Sequence, residues 1–213
     1  MKRIIRRFYF PALLLCAFLL WTLLVCTVDV RPIGPKDSGV GMATVNDWFH
    51  TLTGVHMTLY TITDWLSLIP LLLILCFAVL GLSQWIRRKA LRKVDPSILI
   101  LGGFYLAVMA AYLFFETVVI NYRPVLIGGI LEASYPSSTT MLVMTVIPTA
   151  VMQLENRLRC KPLRYLVSGT LIAFTLFMVI ARLISGVHWL TDIIGGALLS
   201  AGLVTMYDSF TRP

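Results

Sequence analysis

Charge is scarce in this chain. Asp, Glu, Lys and Arg make up 13% of its 213 residues, where an ordinary soluble domain carries ~25%. Acidic residues are the scarcer kind, ten against eighteen Lys and Arg, and histidine occurs three times. The four cysteines, Cys16, Cys26, Cys76 and Cys160, show no CxxC or metal-like spacing, which argues against a disulfide or zinc framework. No sequence repeat and no separate polar segment is present, so no soluble basic domain exists to carry a nucleic acid despite a net charge of +8.

What fills the chain is apolar. Hydrophobic residues reach 58% and the mean hydropathy is +0.86. Hydropathy cuts the sequence into six runs, near 8–28, 61–86, 97–121, 138–154, 165–184 and 188–207. Each is close to the ~20 residues that carry a helix across a ~30 Å hydrocarbon layer. A soluble helical protein shows polar stripes between its apolar ones, and these runs mostly lack them. The expectation is an all-α integral membrane protein, one domain over residues 1–213 with six transmembrane helices. The first run follows Lys2, Arg3, Arg6 and Arg7 but is longer than the ~7–15-residue core of a secretory signal, and it reads as a retained anchor. The segment Val45–Leu59 has near-helical apolar spacing and reads as a helix along the membrane surface.

Basic residues orient the bundle. With six spans, every Lys and Arg except Arg31, Lys36, Arg123 and Arg182 falls on one side. The positive-inside rule makes that side cytoplasmic, together with both termini. The excess charge then faces anionic lipid headgroups. Of the exceptions, Arg31 and Lys36 lie in a Pro/Gly-rich loop, whereas Arg123 and Arg182 end apolar runs.

Three polar clusters converge on the opposite, extracytoplasmic side: Glu116…Asn121-Tyr122-Arg123-Pro124, then Tyr135-Pro136-Ser137-Ser138-Thr139-Thr140, then Arg182…Ser185-Gly186-Val187-His188…Asp192. His188 and Asp192 stand four apart at a helix start and share a face. The carboxylate can accept the Nδ1 proton and leave Nε2 to attack, and Arg182 presents a planar fork suited to phosphate oxygens. The plainer reading is a helix-end His–Asp pair with Arg182 reaching to lipid heads. Ser137 or Ser138 caps the fourth span, and such a helix start also binds phosphate. Arg123 alone reads equally well as an interfacial anchor.

Taken together, these residues resemble the type 2 phosphatidic acid phosphatase superfamily of lipid phosphate phosphatases. Its signature runs K-x6-R-P, P-S-G-H and S-R-x5-H-x3-D. Here Ala181-Arg182, His188 and Asp192 keep the third part at full spacing. The second keeps Pro136-Ser137 but has Thr139 at the histidine position, and the first keeps Arg123-Pro124 with Glu116 at the lysine position. The resemblance implies a helical core like that of the vanadium haloperoxidases. It also implies a nucleophilic His188 oriented by Asp192, and phosphate held by Arg123, Ser137, Ser138 and Arg182. Neither metal nor cofactor is implied; the partners are the bilayer and a phospholipid or isoprenoid-lipid phosphate.

The departures sharpen the expected chemistry. A threonine hydroxyl is no useful acid near neutral pH, and general-acid help is worth about 10²–10⁴-fold. An alkoxide, with a conjugate-acid pKa near water's ~16, suffers from that loss. A phosphate leaving group with a second pKa near ~6 does not. The missing acid therefore favours a lipid pyrophosphate of the polyprenyl type. Glu116, seven residues before Arg123, would sit ~10 Å below it on one helical face. Three roles stand open: partner of Arg123, auxiliary proton donor, or holder of a divalent ion. His50 and His56 read as interfacial, Asp64 as a helix cap or partner of an active-site arginine, and Glu132 as a solvated loop residue. A phospholipid-binding pseudophosphatase and a lipid-dependent phosphotransferase remain as alternative functions; a transporter is disfavoured because the charges sit at one surface.

Overall fold

The computed structural model describes residues 2–155 and 157–211, excluding the side chains of residues 2–5. Arg212 and the side chains of Lys2 and Arg3, counted above with the basic side, lie outside what is described. Eight α-helices account for the described fold: α1 (Lys2–Thr27), α2 (Ala43–Thr53), α3 (Met57–Leu66), α4 (Leu68–Arg88), α5 (Pro96–Thr117), α6 (Ser138–Glu155), α7 (Lys161–Ile184) and α8 (Leu190–Thr211). Local chemistry sets several boundaries. Asp95 caps α5 by accepting from the Ser97 N–H at 3.0 Å, with Pro96 in the first turn where no N–H is needed. Lys89 ends α4 in the left-handed region.

Among the described residues, five segments are long and apolar enough to cross a membrane: Arg6–Thr27, Met57–Arg88, Pro96–Thr117, Lys161–Ile184 and Leu190–Thr211. The second joins α3 and α4 through Ser67, whose N–H bonds back to Thr63 and Asp64 carbonyls. The remaining run, α6, is a full helix but carries inward-facing Thr139, Thr140, Thr145, Thr149 and Gln153. It sits in the centre, where Val143, Val146, Ile147 and Ala150 are almost fully buried. In α8, 56% of the apolar window is buried, against 17% in α1, α5 and α7. So α6 and α8 form the core, and the others present leucine and phenylalanine outward to lipid. Small residues let the core close. Gly195 lies under the Tyr135 ring, Gly196 under Thr140 and Gly202 under Leu15.

Three expected boundaries move. The third span stops at Thr117 instead of residue 121, because residues 118–137 turn back as a loop bridged at Tyr122–Ala133 and Ile127–Ile130. The last span starts at Leu190, leaving His188 in the turn before it. The 45–59 segment breaks at Gly54 into α2 and α3. These loops gather at one end of the bundle, opposite the end where Arg157 pairs with Asp95 at 2.8 Å and Arg88 bonds the Lys93 carbonyl.

A Cβ at Gly195 would stand 2.6 Å from the Tyr135 ring, which is 1% exposed. Gly195→Ala is expected to cost about 1–3 kcal/mol through overpacking, read as a lower melting temperature of the purified protein in detergent.

Candidate active site

Backbone clips hold the loop residues before any side chain acts. The Arg123 N–H bonds the Glu132 carbonyl at 3.0 Å and the Ser134 N–H bonds the Asn121 carbonyl at 2.9 Å, closing the 118–137 loop. The Ser137 N–H bonds the Asp192 carbonyl at 3.0 Å, tying the α6 start to the α8 start. Between α7 and α8, Gly186 adopts φ +68, and a Cβ there would meet the Gly54 carbonyl oxygen at 2.0 Å. Only glycine fits this turn. The turn is also tied to α2 and α3, since His50 Nε2 donates to the Gly186 carbonyl at 3.1 Å and the His56 N–H to the Ser185 carbonyl at 2.9 Å. His50 is therefore a brace for the turn as well as an interfacial residue.

His188 lies in this turn and is 3% exposed. Its Nδ1 sits 3.2 Å from the Ser134 carbonyl oxygen. A carbonyl only accepts, so Nδ1 carries the proton and Nε2 presents its lone pair. Nε2 lies 3.3 Å from Arg123 Nη1, which donates to it. Burial pushes the imidazole pKa down to about 4, helped by the positive charge of Arg123 and opposed by Asp192. His188 is thus neutral at physiological pH.

Asp192 takes a different post from the one its spacing suggests. Its Oδ2 is 3.8 Å from His188 Nδ1, beyond a hydrogen bond, and accepts instead from the Trp189 N–H at 2.9 Å. Its Oδ1 accepts from Asn121 Nδ2 at 3.2 Å. The carboxylate fixes the turn that bears His188 and acts on the imidazole through charge, while the carbonyl of Ser134 fixes the tautomer. Ser134 and Asn121 were not assigned these roles from sequence, because their partners lie 54 and 71 positions away.

The two arginines are held unequally. Arg182, 2% exposed, donates from Nη1 to Thr63 Oγ1 at 3.0 Å and from Nη2 to Thr139 Oγ1 at 2.6 Å. It stacks on Tyr60 with its Cζ 4.7 Å from the ring centroid, and Asp64 Oδ1 lies 3.6 Å from Nη2. Thr139, at the position of the family's second-motif histidine, thus clamps an arginine. Arg123 has Glu132 Oε2 3.0 Å from Nε, at an angle too poor for a hydrogen bond. This is an ion pair, and Glu132 is not the freely solvated residue expected. Glu116 ends near the close of α5, is exposed, and is not on a continuous helix with Arg123. The helix ends first, so Glu132 is the carboxylate paired with Arg123.

These groups line two adjoining cavities. A polar one of about 260 Å³ is bounded by His188, Arg123, Glu116, Glu132, Ser134 and Ser138. An apolar one of about 310 Å³ shares Arg123, Ser138 and Tyr112 with it and adds Arg182, Thr139 and Asp64. Ser137 is fully buried and caps α6, its Oγ accepting from Thr140 Oγ1 at 3.1 Å. The first-turn N–H groups of Ser138 and Thr139 precede the first intrahelical bond of α6. The structure therefore sets His188 and Glu116 on the polar cavity and Arg182 and Thr139 on the apolar one, with Arg123 and Ser138 between them, and leaves Ser137 and Asp192 as supports behind.

A helical membrane protein with a buried neutral imidazole flanked by two guanidinium groups and a helix N-terminus is built to handle an anion. Residues 121–212 match the PAP2 superfamily. The matched segment, which carries Arg123, Arg182, His188 and Asp192, is similar to that superfamily. A crystal structure described as the first transmembrane PAP2 type phosphatidylglycerolphosphate phosphatase from Bacillus subtilis superposes with a TM-score of 0.60, at 18% identity, over 94% of each chain. That likeness extends the fold agreement beyond the matched segment to α1–α5. No curated protein matches the chain in sequence.

Asn121→Ala would leave Asp192 Oδ1 and the Gly41 N–H without their partners. A loss of about 1–3 kcal/mol is expected, measured by denaturant titration of the protein in detergent.

Proposed function

We propose that this protein is a lipid phosphatase that works through a phosphohistidine on His188, with a polyprenyl-type lipid pyrophosphate as the preferred substrate. The observation that carries the reading is the state of His188: Nδ1 is committed to a carbonyl, and the lone pair of Nε2 points at a buried arginine. A phosphoryl group entering the polar cavity takes the place Nε2 now gives to the Arg123 N–H. Nε2 then attacks phosphorus, forming the N–P bond as the bond to the bridging oxygen breaks. Arg123 and the α6 N–H groups neutralise the phosphoryl oxygens, the main task in phosphoryl transfer. Arg182, clamped by Thr63 and Thr139, supplies a fixed positive field beside them. Water then attacks phosphorus, the P–N bond breaks, and phosphate leaves with a neutral histidine restored.

Thr139 supports the pyrophosphate preference. Its hydroxyl accepts from Arg182, so this position offers no acid to a departing alkoxide. A lipid monophosphate leaves as an anion without one. The basic residues crowd the opposite end of the bundle, which under the positive-inside rule supports a site on the extracytoplasmic face of the cytoplasmic membrane, with both termini inside.

Phosphate release from purified protein tests the reading. Farnesyl diphosphate is expected to turn over at least ~10²-fold faster than phosphatidic acid, the scale of a missing general acid. His188→Ala is expected to release none. Equal rates on the two lipids would sink the pyrophosphate preference, and no release from any lipid phosphate would leave a binding protein. The neutral imidazole is the active form and its pKa is lowered to about 4. The acid limb of kcat/KM, which reports the free enzyme, should therefore fall near pH 4 as His188 gains a proton. A limb near ~6.5, the ordinary histidine value, would contradict the buried neutral base.

A further inference from the structure

Hydrolysis of a phosphohistidine needs a proton acceptor for the attacking water. His188 cannot serve while its Nε2 is bonded to phosphorus. Thr139 commits its hydroxyl oxygen to Arg182, and Asp192 lies behind the turn, holding the Trp189 N–H and Asn121. Two other carboxylates line the polar cavity with His188, those of Glu116 and Glu132. Glu116 is exposed near the end of α5. Glu132 is held in register by the backbone. Its carbonyl accepts from the Arg123 N–H at 3.0 Å, beside the Tyr122–Ala133 bridge. Its side chain is 37% exposed, and its Oε2 stands 3.0 Å from Arg123 Nε. At another edge of the same guanidinium, Nη1 lies 3.3 Å from His188 Nε2. One planar group thus separates the nucleophile from a carboxylate that faces the same cavity.

We propose that Glu132 is the general base of the second half-reaction, drawing the proton from the water that hydrolyses the phosphohistidine. This rests on the lipid-phosphatase reading, and it adds the group that completes the turnover. A phosphoryl group on Nε2 draws the Arg123 N–H groups to its oxygens, and the poorly aligned pair with Glu132 gives way at small cost. Carboxylate and phosphoryl group are both anionic, and a water between them bridges the two by donating to each. An in-line water stands about 3–3.5 Å from phosphorus on the face away from Nε2. Its base belongs one hydrogen bond further out, at ~2.8 Å. A carboxylate set one guanidinium away from Nε2 has that reach. As the water oxygen bonds to phosphorus, its proton passes to Glu132 and the P–N electron pair returns to Nε2. Phosphate leaves, and the partly exposed carboxyl group gives the proton to solvent.

Rapid-quench kinetics with farnesyl diphosphate, radiolabelled in its terminal phosphoryl group, separate the two halves. Release of farnesyl monophosphate reads attack by His188, and release of phosphate reads hydrolysis. Glu132→Gln removes the base and keeps the shape. It is expected to form monophosphate in the first turnover within about threefold of the wild-type rate, since only a weak ion pair is lost. Phosphate release should fall about 10²-fold or more, the scale of lost base help. Label should then accumulate on His188 as an acid-labile, base-stable adduct. In Glu132→Ala, added formate should restore phosphate release and leave the first turnover unchanged. An equal loss in both halves, with a raised KM and no rescue by formate, would make Glu132 a support of Arg123 and overturn the inference. Undiminished phosphate release by Glu132→Gln would overturn it as well. Monophosphate release by the wild-type protein decides the phosphatase reading separately: without it both readings fall, whereas wild-type turnover with an unaffected Glu132→Gln removes this one alone.

Discussion

The guanidinium of Arg182 is 2% exposed inside a protein otherwise built of leucine, valine and phenylalanine. Burying an unpaired charge costs several kcal/mol even after relaxation, and ionisable groups at membrane depth persist only where something answers them. Thr63, Thr139, the Tyr60 carbonyl and the Tyr60 ring supply that answer, with Asp64 at longer range. To do so they must come from α3, α6 and α7 at once. Keeping this charge satisfied fixes how the bent α3–α4 crossing meets the central helix α6. It also fixes the wall against which an anion would lie.

Across the hollow, the arrangement is the reverse. His188 is held neutral, and its neutrality depends on burial more than on any partner. Ser134 takes its proton-bearing nitrogen, Arg123 faces the other, and Asp192 stays one step back, holding the turn through the Trp189 N–H and Asn121. One end of the bundle thus combines a fixed cation with an uncharged base and a helix start. Such a set is weakly bound to itself at Arg123, whose ion pair to Glu132 is poorly aligned, and firmly bound at Arg182. The residue freest to follow a phosphoryl group is the one nearest the nucleophile.

The class of fold and the convergence of three clusters were legible in the sequence because both depend on near-neighbour features: the length of apolar runs, the side on which basic residues fall, and the spacing from Arg182 to His188 and Asp192. The reading was poorest where it extended a helix by periodicity. A helix carried through residue 121 would put Glu116 and Arg123 on one face. The chain leaves the helix after Thr117, since the loop finds its own backbone partners between Asn121 and Ser134, and so Glu132 becomes the partner of Arg123. The partners of a loop residue cannot be ranked from order along the chain, and neither Ser134 nor Asn121 carries a local mark of its role.

The sequence by itself determined a membrane-spanning helical protein and which side chains would meet at one of its ends, because apolar length and motif spacing are properties of single segments. Only the tertiary structure decided what each of those side chains does. Whether Asp192 touches the imidazole or braces its turn, and whether Thr139 faces a ligand or an arginine, both depend on distances between segments. Those distances are set by the packing of α6 and α8 against the helices around them, and no single segment contains that information.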